Sequence, residues 1–113
     1  MKKIVTKFGG SSLSDASQFA KVKGILDMEP ARQYVVPSAP GRRFPEDDKV
    51  TDLLYLCHRQ AAAGEDYRAT FDKIRARYMD IAHALNLKAD IASALDEVCA
   101  RIGVQFCGRH HGE

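Results

Sequence analysis

Two short apolar runs near the start of the chain flank a segment with helical periodicity. Residues 2–8 and residues 33–36 are rich in strand-forming side chains. Between them, Asp15 followed by Gln18 is typical of a variant capping box at a helix start. Apolar residues then recur at helical spacing, at Phe19, Val22, Ile25 and Leu26. We expect this helix to end near Met28, because a proline two residues later disfavours continued helix.

The order strand, helix, strand predicts a βαβ unit with parallel strands and a right-handed crossover. A loop rich in proline and glycine follows it, and three amphipathic helices come after the loop. The first has an apolar face formed by Val50, Leu53, Leu54 and Cys57. The second has Phe71, Ile74, Tyr78, Ile81 and Leu85. The third has Ile91, Leu95, Val98 and Ile102. The predicted fold class is therefore α/β.

A sheet of only two confident strands is narrow, and its edges are exposed. Three further helices cannot all bury their apolar faces on such a sheet. We therefore expect the isolated chain to be marginally stable or self-associating, and to be a truncated part of a larger domain.

Composition adds few constraints beyond size. The chain has 113 residues, which suffices for one small domain, and its 45% hydrophobic and 28% charged residues are ordinary for one. The net charge of +2 is made of interspersed signs, which predicts neither a nucleic-acid surface nor an acidic tail. No apolar run approaches the roughly 18 residues of a membrane helix, and the N-terminus does not resemble a signal peptide. We expect a cytoplasmic protein without nucleic-acid or membrane partners.

The three cysteines form an odd and widely spaced set, which is not a disulfide framework. Cys57 and Cys99 lie in helical apolar patterns and are predicted to be small core residues. Cys107 lies close to His110 and His111, which raises the possibility of a metal site. These three ligands fall short of a closed four-ligand zinc site, so we favour a solvated tail and assign no metal.

The turn after the first strand carries the strongest chemical signal. Lys7 precedes Gly9 and Gly10, and the hydroxyls of Ser11 and Ser12 follow directly. The glycines allow a ligand to approach the backbone, and N–H groups at the start of the next helix would face the same spot. Such a turn suits a polyphosphate, although neither standard nucleotide-binding fingerprint is present. The alternative is an ordinary glycine turn with a solvated lysine.

Three segments in order resemble aspartate kinase. Residues 7–12 are similar to the opening signature of that family, directly after an apolar strand. Residues 34–41 resemble its second strand and Ser-Ala-x-Gly turn, and residues 50–54 resemble its threonine-bearing helix start. The resemblance implies an amino-acid-kinase-like (carbamate-kinase-like) fold, with residues 1–113 as the N-terminal fragment of the catalytic domain. The rest of that domain and the regulatory ACT domains would then lie outside the chain.

The resemblance also implies an activity and a set of site residues. The family transfers the γ-phosphoryl of ATP, which carries Mg²⁺, to the side-chain carboxylate of L-aspartate. The product is 4-phospho-L-aspartate, the entry to lysine, threonine and methionine biosynthesis. Lys7 would be catalytic, and the phosphates would contact Lys7, Gly9, Gly10, Ser11 and Ser12. Ser38, Thr51 and Glu113 would bind aspartate. The full-length enzyme would form a homo-oligomer, and the fragment alone would be inactive.

Two departures from the family pattern leave other readings open. Residues 42–49 look like an inserted loop, in which Arg42 and Arg43 would either clamp phosphates or be solvated. His110 stands where the family has serine ahead of the Gly-Glu pair that ends in Glu113. The alternatives are another superfamily member, acting on glutamate, acetylglutamate, carbamate or a nucleotide, or a non-catalytic phosphate-binding half-domain that is complete as a short protein.

Overall fold

Strands and helices follow one another in the order expected from the hydrophobic pattern. In the computed structural model, residues 2–110 are described, with side chains up to residue 104. The elements are β1 (Val5–Phe8), α1 (Ala16–Asp27), β2 (Tyr34–Pro37), α2 (Val50–Ala62), α3 (Arg68–Ala84) and α4 (Ile91–His110). A short 3₁₀ helix, Gly10–Leu13, precedes α1. The chain divides into two compact units, of which the first ends at Thr51 and the second begins at Asp52.

The first unit is built on the predicted parallel pair of strands. β1 pairs with β2 in a register that runs from Val5 opposite Tyr34 to Phe8 opposite Pro37. A small apolar cluster packs beside the sheet, formed by Phe8, Leu13 and Val22 with the partly buried Phe19 and Leu26. The βαβ prediction is confirmed, with β1 three residues shorter at its start than expected.

Helix α1 begins where the capping pattern predicts. The Asp15 carboxylate accepts a 3.0 Å hydrogen bond from the backbone N–H of Gln18 and a 2.9 Å bond from the Ser17 hydroxyl. These bonds stabilise the ionised carboxylate, so the pKa of Asp15 lies below its ordinary value.

The prediction that Ile25 belongs to the buried face of α1 was wrong, since its side chain is 40% exposed. At 100° per residue, Ile25 lies about 60° from Val22 around the helix axis. It is on the opposite side of Val22 from Phe19 and Leu26, which pack against the cluster.

Much of the sheet surface is uncovered, as expected for a narrow sheet. Val5 is 67% exposed, and every residue of β2 is exposed. Apolar strand residues usually face a packed layer, so this pair of strands has the composition of a sheet interior. Self-association of the chain stays a prediction.

In the second unit, α3 provides most of the buried core. Phe71 and Ile74 of α3 are almost fully buried. The Arg75 guanidinium pairs with the Asp96 carboxylate of α4 at 2.5 Å, and the Thr70 hydroxyl donates to Gln60 of α2 at 2.8 Å. These polar contacts fix the neighbours of α3 around an apolar centre.

In the second unit, two further residues assigned to apolar helix faces are exposed, and those assignments were wrong. Leu54 of α2 lies at the edge of its buried face and is 37% exposed. Val98 of α4 is 45% exposed, although it lies at the helical spacing of the buried Leu95. The Tyr67 hydroxyl, just before α3, donates a 2.6 Å hydrogen bond to the Cys99 carbonyl of α4. The prediction of a buried Cys57 is confirmed, and Cys99 is half-buried.

Within the described residues, no helix is both long and apolar enough to cross a membrane. The same residues contain no group of three or more histidine, cysteine, aspartate or glutamate side chains arranged to hold a metal ion. The side chains of Cys107, His110 and His111 lie outside the described residues.

The N-cap of α1 gives a first prediction. Asp15→Ala should lower the free energy of unfolding by about 1 kcal/mol, since it removes the acceptor for Gln18 N–H. Asp15→Asn keeps an acceptor and should cost less. Folding lowers the pKa of Asp15 from its ordinary value of 3.8. The ionised carboxylate therefore contributes fully to the free energy of unfolding above pH 3.8, and this contribution is lost as the pH falls through the lowered pKa. Urea denaturation at neutral pH and at several acidic pH values measures both effects.

The matched control is Asp27→Ala, which removes a carboxylate from the other end of α1. Asp27 makes an exposed ion pair with Lys23, and such pairs contribute little. An equal loss of stability in the Asp15 and Asp27 variants would contradict the capping assignment.

Candidate functional site

The turn after β1 and the loop after β2 meet through their backbones. The Gly41 N–H donates a 2.8 Å hydrogen bond to the Gly10 carbonyl, and the Ser38 N–H donates a 3.0 Å bond to the Phe8 carbonyl. A Cβ atom at Gly41 would lie 2.8 Å from the carbonyl carbon of Gly10. Only glycine permits this approach, so the two loops can touch only because Gly41 has no side chain.

A pocket of about 450 Å³ opens beside this contact. We call it the glycine pocket, and its lining residues are Gly10, Ser11, Ser38, Ala39, Pro40, Gly41, Arg42, Lys49 and Thr51. Three of these residues carry hydroxyls and two carry positive charges. No carboxylate is among them in the part of the chain that the structure describes. Such a lining favours an anionic ligand that accepts several hydrogen bonds.

Four of the predicted site residues are brought together in this pocket. Gly10 and Ser11 come from the turn after β1, and Ser38 and Thr51 come from the segment after β2. Both groups follow the carboxyl ends of parallel strands, where ligands commonly bind in α/β sheets. These four residues, which come from separate segments of the sequence, thus lie close together in the structure.

The other predicted residues are placed differently. Lys7 and Gly9 are exposed and Ser12 is half-buried, and none of the three lines the glycine pocket. Lys7 lies on β1 opposite Val36 of β2. Glu113 lies outside the described residues. The proposed roles of these residues stay predictions.

The backbone between the glycine turn and α1 is helical as well. A 3₁₀ helix over Gly10–Leu13 intervenes, held at its start by a 3.1 Å bond from Ser12 N–H to the Gly9 carbonyl. α1 begins only at Ala16, and Asp15 accepts from its first turn. The backbone donors nearest the pocket are therefore those of the 3₁₀ helix.

The loop over residues 42–49 contributes residues that the sequence left uncertain. Arg42 lines the glycine pocket, whereas Arg43 is paired with Asp47 through bonds of 2.6 and 3.0 Å. Lys49 also lines the pocket and was not singled out by its sequence context. Its position two residues before Thr51 was the available signal.

A second pocket, of about 550 Å³, lies in the second unit and contains none of the predicted site residues. Its lining includes Tyr67, whose hydroxyl is already bonded to the Cys99 carbonyl. Burial raises the pKa of Tyr67 above its ordinary value, so the phenol stays protonated at neutral pH. This arrangement is that of a structural contact between α3 and α4.

Comparisons with known proteins agree on one class. No family model matches the chain. Aspartokinase 3 of Bacillus subtilis is 45% identical over 87 residues, which make up 77% of this chain and 19% of that protein. The crystal structure of Clostridium acetobutylicum aspartate kinase matches with a TM-score of 0.87 and 48% identity, over 91% of this chain and 24% of that one.

The fold is therefore the α/β fold of the amino-acid-kinase type, represented by an N-terminal portion, as the sequence predicted. Within that class, the chain is related to the aspartate kinases over the region that these matches cover. It spans only 19% and 24% of the length of the two relatives.

The contact between the two loops gives a second prediction. Gly41→Ala should lower the free energy of unfolding by about 1–3 kcal/mol, because its Cβ overlaps the Gly10 carbonyl group. Gly24→Ala, in the last turn of α1, meets no atom within 4 Å and should raise the free energy of unfolding by up to about 0.5–1 kcal/mol. Urea denaturation of the two variants measures this difference in sign. A Gly41→Ala protein as stable as the original chain would show that the loops do not meet as described.

Proposed function

We propose that this chain forms the phosphate-contacting and acceptor-binding part of an aspartate kinase. The enzyme would transfer the γ-phosphoryl of ATP to the side-chain carboxylate of L-aspartate and produce 4-phospho-L-aspartate. The observation that carries the proposal is the glycine pocket, which combines backbone, hydroxyl and cationic groups without a carboxylate. The similarity to two aspartate kinases supports the choice of substrate.

The reaction needs charge stabilisation more than proton transfer. A side-chain carboxyl has a pKa of about 4, so the acceptor is already an anion at neutral pH. One of its oxygens attacks the γ-phosphorus, a new O–P bond forms, and the bond to the bridging oxygen breaks with its electron pair leaving on ADP. No general base is required. The barrier is the approach of one anion to another, and fixed donors and cations lower it.

The proposed role of each residue follows from its position. Lys7, exposed one residue before Phe8 and the glycine turn, would neutralise charge on the transferred phosphoryl. Gly9 and Gly10 would offer backbone N–H groups, and Ser11 and Ser12 would add hydroxyl donors. On the β2 side of the pocket, Ser38 and Thr51 would hold the aspartate.

Mg²⁺ bound to the nucleotide would offset part of the phosphate charge. The lining of the glycine pocket, among the described residues, has no carboxylate that would hold this metal. The donors there suit phosphate oxygens directly. ATP with its metal would thus bind as one substrate.

A third prediction tests the role of Lys7. Since this chain spans about a quarter of the Clostridium acetobutylicum enzyme, turnover is measured in a chimera where the chain replaces the matching region of that enzyme. Lys7→Ala should lower kcat/KM for aspartyl hydroxamate formation by about a hundredfold or more, as loss of a preorganised charge contact does. Lys23→Ala removes an exposed charge of α1 and should change kcat/KM by no more than about twofold.

Three outcomes would contradict parts of the proposal. Near-normal turnover of Lys7→Ala would exclude its catalytic role. A chimera that phosphorylates glutamate in preference to aspartate would favour another member of the superfamily. An inactive chimera, together with ATP binding by the original chain, would favour a non-catalytic phosphate-binding module.

A further inference from the structure

The loop of residues 42–49, between β2 and α2, is closed at its base by a backbone contact. The Val50 N–H donates a 3.0 Å hydrogen bond to the Pro40 carbonyl, and both residues are buried. Arg42 and Lys49, at the two ends of this loop, both line the glycine pocket. The position of the two cations therefore depends on how the residues between them fold.

Asp47 is the centre of the hydrogen bonding within this loop. Its side chain is only 8% exposed, whereas the other residues of the loop are all exposed. The carboxylate accepts bonds from the Arg43 backbone N–H at 3.0 Å, from Nε at 2.6 Å and from a terminal guanidinium nitrogen at 3.0 Å. The Asp47 N–H in turn donates to the Phe44 carbonyl at 3.0 Å. Because a two-point contact to a shielded carboxylate is stronger than an exposed ion pair, Asp47 holds the loop closed around Arg43.

The same residue orients Arg42 through a different group. The Arg42 Nε–H donates to the Asp47 backbone carbonyl at 3.0 Å, and its terminal nitrogens have no protein partner among the described residues. A carbonyl carries no net charge, and the charge of the Asp47 carboxylate is already paired with Arg43. Asp47 therefore holds the stem of Arg42 without neutralising its guanidinium.

This arrangement affects how tightly the glycine pocket can bind an anion. A long cationic side chain in an exposed loop loses rotamer freedom when a ligand orders it, and that loss weakens binding. A hydrogen bond that already holds the Nε of Arg42 removes part of the loss before the ligand arrives. The pairing of Asp47 with Arg43 also keeps a carboxylate out of the pocket lining, where it would compete with the ligand for Arg42.

We propose that Asp47 is a positioning residue for anion binding, which folds the loop of residues 42–49 around Arg43 and so presents Arg42 to a ligand in the glycine pocket. The inference rests on the proposed function in that the pocket binds an anionic substrate. A guanidinium pairs with phosphate and with carboxylate, so either substrate of a kinase would benefit from the same arrangement. Asp47 is not part of the pocket lining and acts through Arg42.

The test is a double-mutant cycle between Asp47 and Arg42 in the full 113-residue chain. Calorimetry measures dissociation constants for two probes, inorganic pyrophosphate and L-aspartate, and the probe that Arg42→Ala weakens more is the one that Arg42 contacts. Asp47→Asn, which keeps the shape and removes the charge, should weaken binding of that probe about three- to tenfold. In the Arg42→Ala background the same substitution should change the constant by less than about twofold, because two residues that act as a unit are not additive.

An NMR measurement separates positioning from a loss of structure. The Arg42 Nε–H should exchange more slowly with water in the original chain than in Asp47→Asn, because the loop that brings it to the Asp47 carbonyl is loosened in the variant. The Val50 N–H should stay protected in both, since its bond to Pro40 closes the base of the loop. If Val50 loses protection, Arg43→Ala replaces Asp47→Asn in the cycle. It frees the Asp47 carboxylate to neutralise Arg42 and should weaken binding of the same probe.

Asp27→Asn is the matched control, since Asp27 forms an ion pair of the same spacing and the same 2.6 Å distance with Lys23, outside the pocket lining. It should leave both constants unchanged. Unchanged affinity for both probes in Arg42→Ala or in Asp47→Asn would overturn the inference. An equal loss with and without Arg42 would also overturn it, because Asp47 would then not act through that residue. A chain that binds neither probe would overturn it as well, while turnover of the Lys7 variant in the chimera would still decide the proposed function.

Discussion

The close contact between Gly10 and Gly41 is the constraint on which the candidate site depends. The N–H of Gly41 reaches the Gly10 carbonyl at 2.8 Å, and there is no space for a Cβ atom at Gly41. Ser11 follows one glycine and Arg42 follows the other, so this backbone contact sets the distance across the pocket. A larger residue would separate the loops and disperse the donors.

The parallel pairing of β1 and β2 explains why these loops meet at all. Parallel strands end at the same edge of a sheet, and the Ser38 N–H extends the pairing past Phe8 by a 3.0 Å bond. The site therefore arises from local backbone geometry in the first unit. The two loops add hydroxyls and cations to this geometry, and such groups suit an anionic ligand.

The sequence predicted those parts of the structure that depend on neighbouring residues. The strand order, the Asp15 cap and the buried side of each helix follow from spacing and hydrogen-bonding capacity. The exposure of Val98 did not follow, because it depends on how α4 packs against α3 and not on spacing along α4 alone. Helical periodicity gives an arc of apolar residues, and tertiary contacts decide which part of that arc is covered.

The two arginines show the same limit at the candidate site. From the sequence, Arg42 and Arg43 are equivalent neighbours in a charged loop. Their roles separate because Asp47 offers two different acceptors, a carboxylate that holds Arg43 and a carbonyl that holds only the Nε of Arg42. Arg43 thereby stabilises the loop, whereas the terminal guanidinium donors of Arg42 have no protein partner among the described residues. The folded backbone, and not the residue type, decides which arginine donors already have a protein acceptor.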